Sequence, residues 1–126
     1  GRLILADSLT LADEGSPDLI IDMATLTGAA RVAVGPEIVP FFSTSEAISN
    51  ILKKVSQNVQ DPVWELPFFA PYGKWLNNEI SDLNNSPNTP FAGSIIAAEF
   101  LKKFITNTNN YFVILFIGYN NYTIQF

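Results

Sequence analysis

Leu19-Ile20-Ile21 is a wholly apolar run, bounded by Asp18 and Asp22, that opens directly into the small-residue loop Ala24-Thr25-Leu26-Thr27-Gly28. A strand without polar alternation has no solvated face, so the pattern predicts cover on both sides, as in a parallel sheet lying between helices. Upstream, Leu5, Leu9 and Ala12 share one helical face of the run Leu3 to Asp13 while Asp7 falls outside it, and Gly15-Ser16-Pro17 stops the run. The expected class is α/β: a partial mixed or parallel sheet flanked by helices.

Beyond the loop, Arg31-Val32-Ala33-Val34 and Ile38-Val39-Pro40-Phe41-Phe42 read as two short strands separated by Gly35-Pro36. Ser43-Thr44-Ser45-Glu46 has the spacing of a capping box, with Ser43 as the cap and Glu46 reaching back to it. The helix it opens is expected to run to about Gln60 with Ile48, Ile51, Leu52 and Val55 inward, and to end at Asp61-Pro62, since proline disfavours helical geometry in the residue before it. Residues 62–91 mix Trp64, Phe68, Phe69, Tyr72 and Trp75 with prolines and asparagines, which predicts a packed irregular stretch with one short helix near Tyr72 to Asn77. From Ala92 to Ile105 the small residues Ala92, Gly93, Ala97 and Ala98 let a helix lie close to neighbouring backbone, with Lys102 and Lys103 near its C-terminal dipole. Thr106 to Phe126 differs in composition and has no clear period beyond the β-prone run Phe112 to Ile117, which can still pair as a strand.

At 126 residues the chain is one domain or part of one. Twelve acidic against seven basic residues, a net charge of −5, argue against sequence-independent nucleic-acid binding, which needs clustered cations. Lys53-Lys54 and Lys102-Lys103 read as solvated helix faces. With no cysteine there is no disulfide or thiolate site, and with no histidine the commonest neutral metal ligand and general base is missing. The longest apolar run, Tyr111 to Tyr119, is too short to span a bilayer, so no membrane partner and a cytoplasmic location are expected. No Gly-rich phosphate loop precedes a helix, which weighs against a nucleotide binder.

Several blocks, taken in order, resemble the cytosolic leucyl aminopeptidase family of two-metal exopeptidases. Its signature Asn-Thr-Asp-Ala-Glu-Gly-Arg-Leu would end in Gly1-Arg2-Leu3, and its next block, Asp-x-Ala-Thr-Leu-Thr-Gly-Ala, matches Asp22 to Ala29. Further matches are Pro62 to Pro67, Ile80 to Asn85, and Phe91 to Ala98 with Phe100-Leu101. The resemblance covers residues 1–105 as a partial, incomplete catalytic domain; residues 106–126 lack the family's Trp-Ala-His strand and read as a divergent tail, as a frameshift would give.

The resemblance implies an exopeptidase releasing N-terminal, leucine-type residues from peptides, with two divalent ions (manganese or zinc) and a homohexameric assembly. It places the metal ligands before Gly1, so no metal-ligating residue is assigned in this chain, which is expected to be inactive alone. It makes Arg2 the catalytic arginine that holds a bicarbonate, for which a planar, permanently charged guanidinium is suited. Without the resemblance, an arginine beside a terminus is more often a solvated charge. Thr25, Leu26 and Gly28 match the ledge whose main chain binds the substrate backbone. Such a ledge at the carboxyl end of a buried strand is where open α/β sheets place ligands, although an ordinary turn favours the same residues.

Asp22 is given no metal role and is expected to cap the loop by accepting nearby N–H groups. Asp82, Asn84, Asn85 and Ser86 suit either a pocket wall or a turn. Trp64 and Trp75 are expected to be core or subunit-contact aromatics. The competing class is a non-catalytic α/β interaction or structural module, for which a defined oligomer would be the mark, whereas an incomplete domain would expose apolar sheet faces and aggregate.

Overall fold

The computed structural model describes residues 1–77 and 89–115. Its elements run α1 (Arg2–Glu14), β1 (Ile20–Ala24), α2 (Arg31–Val34), β2 (Val39–Ser43), α3 (Glu46–Val59), β3 (Val63–Glu65), α4 (Ala70–Gly73), a 3-10 turn (Lys74–Leu76), α5 (Gly93–Lys102) and β4 (Tyr111–Leu115). The four strands form one mixed sheet in the order β1-β4-β2-β3. β4 is parallel to β1, with Ile20 opposite Tyr111, and antiparallel to β2, with Phe42 opposite Val113; β2 and β3 are parallel. The α/β class with a helix-flanked mixed sheet is thus the observed one.

The β-prone run after residue 110 pairs over Tyr111–Leu115, and it does so in the middle of the sheet. Tyr111, Val113 and Leu115 are buried, packed with Phe42, Leu76, Ile96, Phe100 and Leu101 into the core. Each such side chain contributes roughly 1.5–3 kcal/mol on leaving water. Helix α5 supplies much of that core, as its small residues imply: Ala97 and Ala98 are fully buried, leaving no side-chain bulk between its backbone and its neighbours. Phe68 bridges Phe42 and Tyr111, with ring centroids 5.4 and 6.3 Å away.

Helix α1 is anchored at its far end. Asp13, only 2% exposed, accepts the backbone N–H groups of Thr106 (2.7 Å), Asn107 (2.8 Å) and Thr108 (2.8 Å) and the Thr106 hydroxyl (3.1 Å). One carboxylate thereby satisfies the turn that leads into β4.

Several local expectations are corrected. Arg31–Val34 is a helical turn instead of a strand: Arg31 N–H donates to Gly28 O and Val34 N–H to Ala30 O, and Val32 is 95% exposed. β-propensity depends on context, and here the backbone N–H groups of Arg31, Ala33 and Val34 are taken up locally by Gly28 O and Ala30 O. The face of α1 that packs inward is Ala6, Leu9 and Asp13, while Ala12 is exposed. β1 alternates, with Ile21 and Met23 58% and 60% exposed, so only one of its faces is covered among the described residues.

Ser45, not Ser43, caps α3, accepting Ile48 N–H at 3.5 Å, because Ser43 Oγ is engaged with Ser45 N–H (3.1 Å) and Ser45 O (2.9 Å). α3 buries Ser49 and Ser56 and leaves Ile51 and Val55 exposed; Ser56 Oγ bonds Asp61 O and accepts Val63 N–H, tying the helix end to β3. Val63–Glu65, expected to be irregular, is an edge strand beside β2. Of the two alternatives for Trp64 and Trp75 the core is ruled out, since both are exposed, with Trp75 stacked on Tyr72 at 4.4 Å. The short helix near Tyr72 appears as α4 and the 3-10 turn.

Candidate functional site

The ledge begins where β1 leaves the sheet. Ala24 is buried opposite Leu115, so Thr25 is the first residue past the carboxyl end of the strand, and it is exposed. Leu26 turns back, half-buried against the core, and anchors the loop. Thr27 Oγ1 accepts Ala29 N–H at 3.2 Å and Gly28 O accepts Arg31 N–H at 3.0 Å, so α2 holds the loop from behind. Gly28 is exposed, and a Cβ placed on it would meet no atom within 4 Å, so the space beside it is open.

The loop rests on the first residue of α5. A Cβ on Gly93 would lie 2.9 Å from Ala29 Cβ and 3.9 Å from Thr27 Oγ1, so a side chain there would displace the ledge. The residue before it, Ala92, takes a left-handed conformation with φ 53°, which lets the chain turn sharply into the helix.

Arg2 opens α1 and is half-buried, its guanidinium carbon 5.8 Å from the centroid of the Phe100 ring. Burial lowers its pKa from the ordinary arginine value. Phe100 follows Gly93 by two helical turns, roughly 10 Å along the axis at about 1.5 Å per residue. The ledge and the guanidinium thus both lie against α5, the first at its N-terminal end and the second beside its later turns.

Asp22 is buried on β1 and accepts the Tyr111 hydroxyl at 3.2 Å, which corrects the expectation that it caps the loop through N–H groups. Its neighbour across the sheet reaches it first. Burial raises the Asp22 pKa, and the bond from Tyr111 opposes that rise. Burial, then the Asp22 charge, push the Tyr111 phenol far up. Sequence reasoning missed this pair because the partners are 89 positions apart; the role of Gly93 was visible as a small residue within an apolar helix.

Among the described residues no group of three or more His, Cys, Asp or Glu side chains converges to hold a metal ion, so these residues do not fit a metal pair. None of the described helices is long and apolar enough to cross a membrane. Asp82, Asn84, Asn85, Ser86 and the block Ile80 to Asn85 lie outside the described residues, as do Phe116 and Ile117.

Comparison with known proteins gives a consistent result. Residues 1–120 match the family model described as the cytosol aminopeptidase family, catalytic domain. A probable cytosol aminopeptidase of Buchnera aphidicola subsp. Acyrthosiphon pisum is 47% identical over 109 residues, 86% of this chain and 22% of the relative. One from Chlorobaculum parvum is 46% identical over 106 residues, 83% of this chain and 21% of the relative. The crystal structure of the cytosol aminopeptidase from Coxiella burnetii superposes with a TM-score of 0.87 at 41% identity, covering 95% of this chain and 26% of that one. The chain therefore spans about a fifth to a quarter of the length of the proteins it matches.

Proposed function

The chain belongs to the cytosol aminopeptidase family, and from that premise we propose that it serves the metal-dependent removal of N-terminal, leucine-type residues from peptides. In this reading the segment supplies the substrate-handling part of the site. The main chain of Thr25, Leu26 and Gly28 is the ledge that aligns the peptide backbone, and Arg2 is the catalytic cation, able to hold a bicarbonate through its planar fork. Two divalent ions, manganese or zinc, would be held by residues other than Arg2, Thr25, Leu26 and Gly28, and would supply the hydroxide when bound. The working protein is a homohexamer in the cytoplasm, and this chain alone is inactive. Residues 1–105 contribute to that catalytic domain, and residues 106–126, into which the family match extends as far as residue 120, depart from the family's Trp-Ala-His pattern.

One observation carries the reading: the family match includes Arg2 and the ledge in a single stretch, and both lie against the same helix, α5.

The test is leucine release from leucinamide with added manganese. No release is expected from the 126-residue chain. In a longer protein that carries this segment, Arg2→Ala is expected to lower kcat on the order of 100-fold, as loss of a transition-state donor does. Activity of the short chain, or an unchanged kcat for the variant, would overturn the assignment.

A further inference from the structure

Arg2 stands at the first position of α1, where the helix dipole is positive, and the first turn contains no acidic residue. A guanidinium there is disfavoured twice, by the dipole and by being half out of water. Its stem is long, so a cation left loose at a helix start spreads over many rotamers. For an arginine that must present a planar fork in one direction, that spread is a loss.

Phe100 supplies the constraint. The guanidinium carbon lies over its ring, 5.8 Å from the centroid, within the range in which the negative face of an aromatic attracts a cation. The ring is 1% exposed and packs against Phe104 with centroids 5.1 Å apart, so the core sets its plane. It belongs to the helix whose first residue, Gly93, lies against Thr27 and Ala29 of the ledge loop. One rigid element therefore meets both the cation and the ledge.

We propose that Phe100 is a positioning residue: its buried ring face orients the Arg2 guanidinium and, through α5, fixes that cation relative to the ledge of Thr25, Leu26 and Gly28. The assignment rests on the peptidase reading of Arg2 given above. Phe100 has no contact with substrate in this role and acts only through Arg2.

The first test is spectroscopic and uses the 126-residue chain. The side-chain proton resonances of Arg2 are expected upfield of those of Arg31, which is exposed, because protons above a ring face are shielded. The shift is expected to vanish in Phe100→Leu and to persist in Phe104→Leu, which removes a ring from the same cluster but not the one beneath Arg2. The second test is kinetic, with leucinamide and a longer protein that carries this segment. Phe100→Leu is expected to lower kcat about tenfold with KM near the parent value, the mark of an interaction needed only in the transition state, while Phe104→Leu stays near the parent in both. Should Phe100→Leu fail to fold, the Arg2 shift in the parent chain decides. Absence of that shift, equal effects of the two phenylalanine variants, or a parental kcat in folded Phe100→Leu would overturn the positioning role alone. An unchanged kcat in Arg2→Ala, with the Arg2 shift present in the parent, would instead overturn the peptidase reading and this role with it.

Discussion

Asp13 Oδ1 accepts the backbone N–H of Thr108 at 2.8 Å, joining the end of the first helix to the approach of the central strand across 95 positions of sequence. With Oδ2 taking Thr106 and Asn107, the carboxylate replaces the water that three turn amides would otherwise need. Asp13→Asn would turn part of this acceptor into a donor facing donors. The variant is expected to melt at a clearly lower temperature than the parent and to lose amide protection at residues 106–108; unchanged protection there would refute the anchoring role.

The two buried aspartates give opposite pH dependence. At Asp13 burial works against the charge, but the amides of Thr106, Asn107 and Thr108 outweigh it and hold the carboxyl below the ordinary range. Its contribution is whole above the ordinary carboxylate pKa and is lost as pH falls through the depressed folded value. At Asp22 burial raises the pKa, so stability from the neutral acid is present below the ordinary value and lost as pH rises through the raised one. Denaturation midpoints followed from acid to neutral pH should show a flatter acid limb in Asp13→Asn. Asp22→Asn, whose carbonyl can still accept from Tyr111, should be at least as stable as the parent at neutral pH.

Removing the other half of that pair has a definite cost. Tyr111→Phe keeps the ring packed against Phe68 but leaves the buried Asp22 oxygen without its donor. A loss of about 1.5–3 kcal/mol is expected at neutral pH by chemical denaturation. The effect should shrink in the Asp22→Asn background, and full additivity of the two changes would show that the hydrogen bond carries no coupling.

The central strand is a stability element. Leu115→Ala removes a fully buried side chain from β4 and is expected to cost about 2–5 kcal/mol. Ile21→Thr, on the open face of β1, should leave the denaturation midpoint near the parent value while reducing self-association in sedimentation.

Three substitutions probe the ledge and the third helix. Gly93→Ala forces a contact of 2.9 Å with Ala29 and should cost about 1–3 kcal/mol, with proteolytic cleavage of the loop 25–30 accelerated. Ser45→Ala should cost about 0.5–1 kcal/mol by loss of the α3 cap. Glu46→Ala should cost less, since the reciprocal capping box is not formed; an equal loss would restore the box.

The family resemblance, the α/β class, the helix at the start, the short β1 segment and the close-packing helix α5 were all determined by the amino-acid order. These follow from local pattern: apolar period, breakers such as Gly15 and Pro62, and the small residues at 92–98. What tertiary structure alone decided is which of the locally plausible options survived. Arg31–Val34 has strand composition but became a helical turn, its N–H groups bonded to Gly28 O and Ala30 O instead of to a neighbouring strand. Ser43 and Ser45 are chemically alike, and the cap fell to the one whose hydroxyl was not already taken. β4 could be read only as β-prone; its position between β1 and β2, and the Asp22–Tyr111 and Asp13–Thr108 bonds that flank it, depend on partners about 90 positions away. A one-dimensional pattern records the period of a segment and the types of its residues, whereas hydrogen-bond partners and burial are fixed only once distant segments share one core.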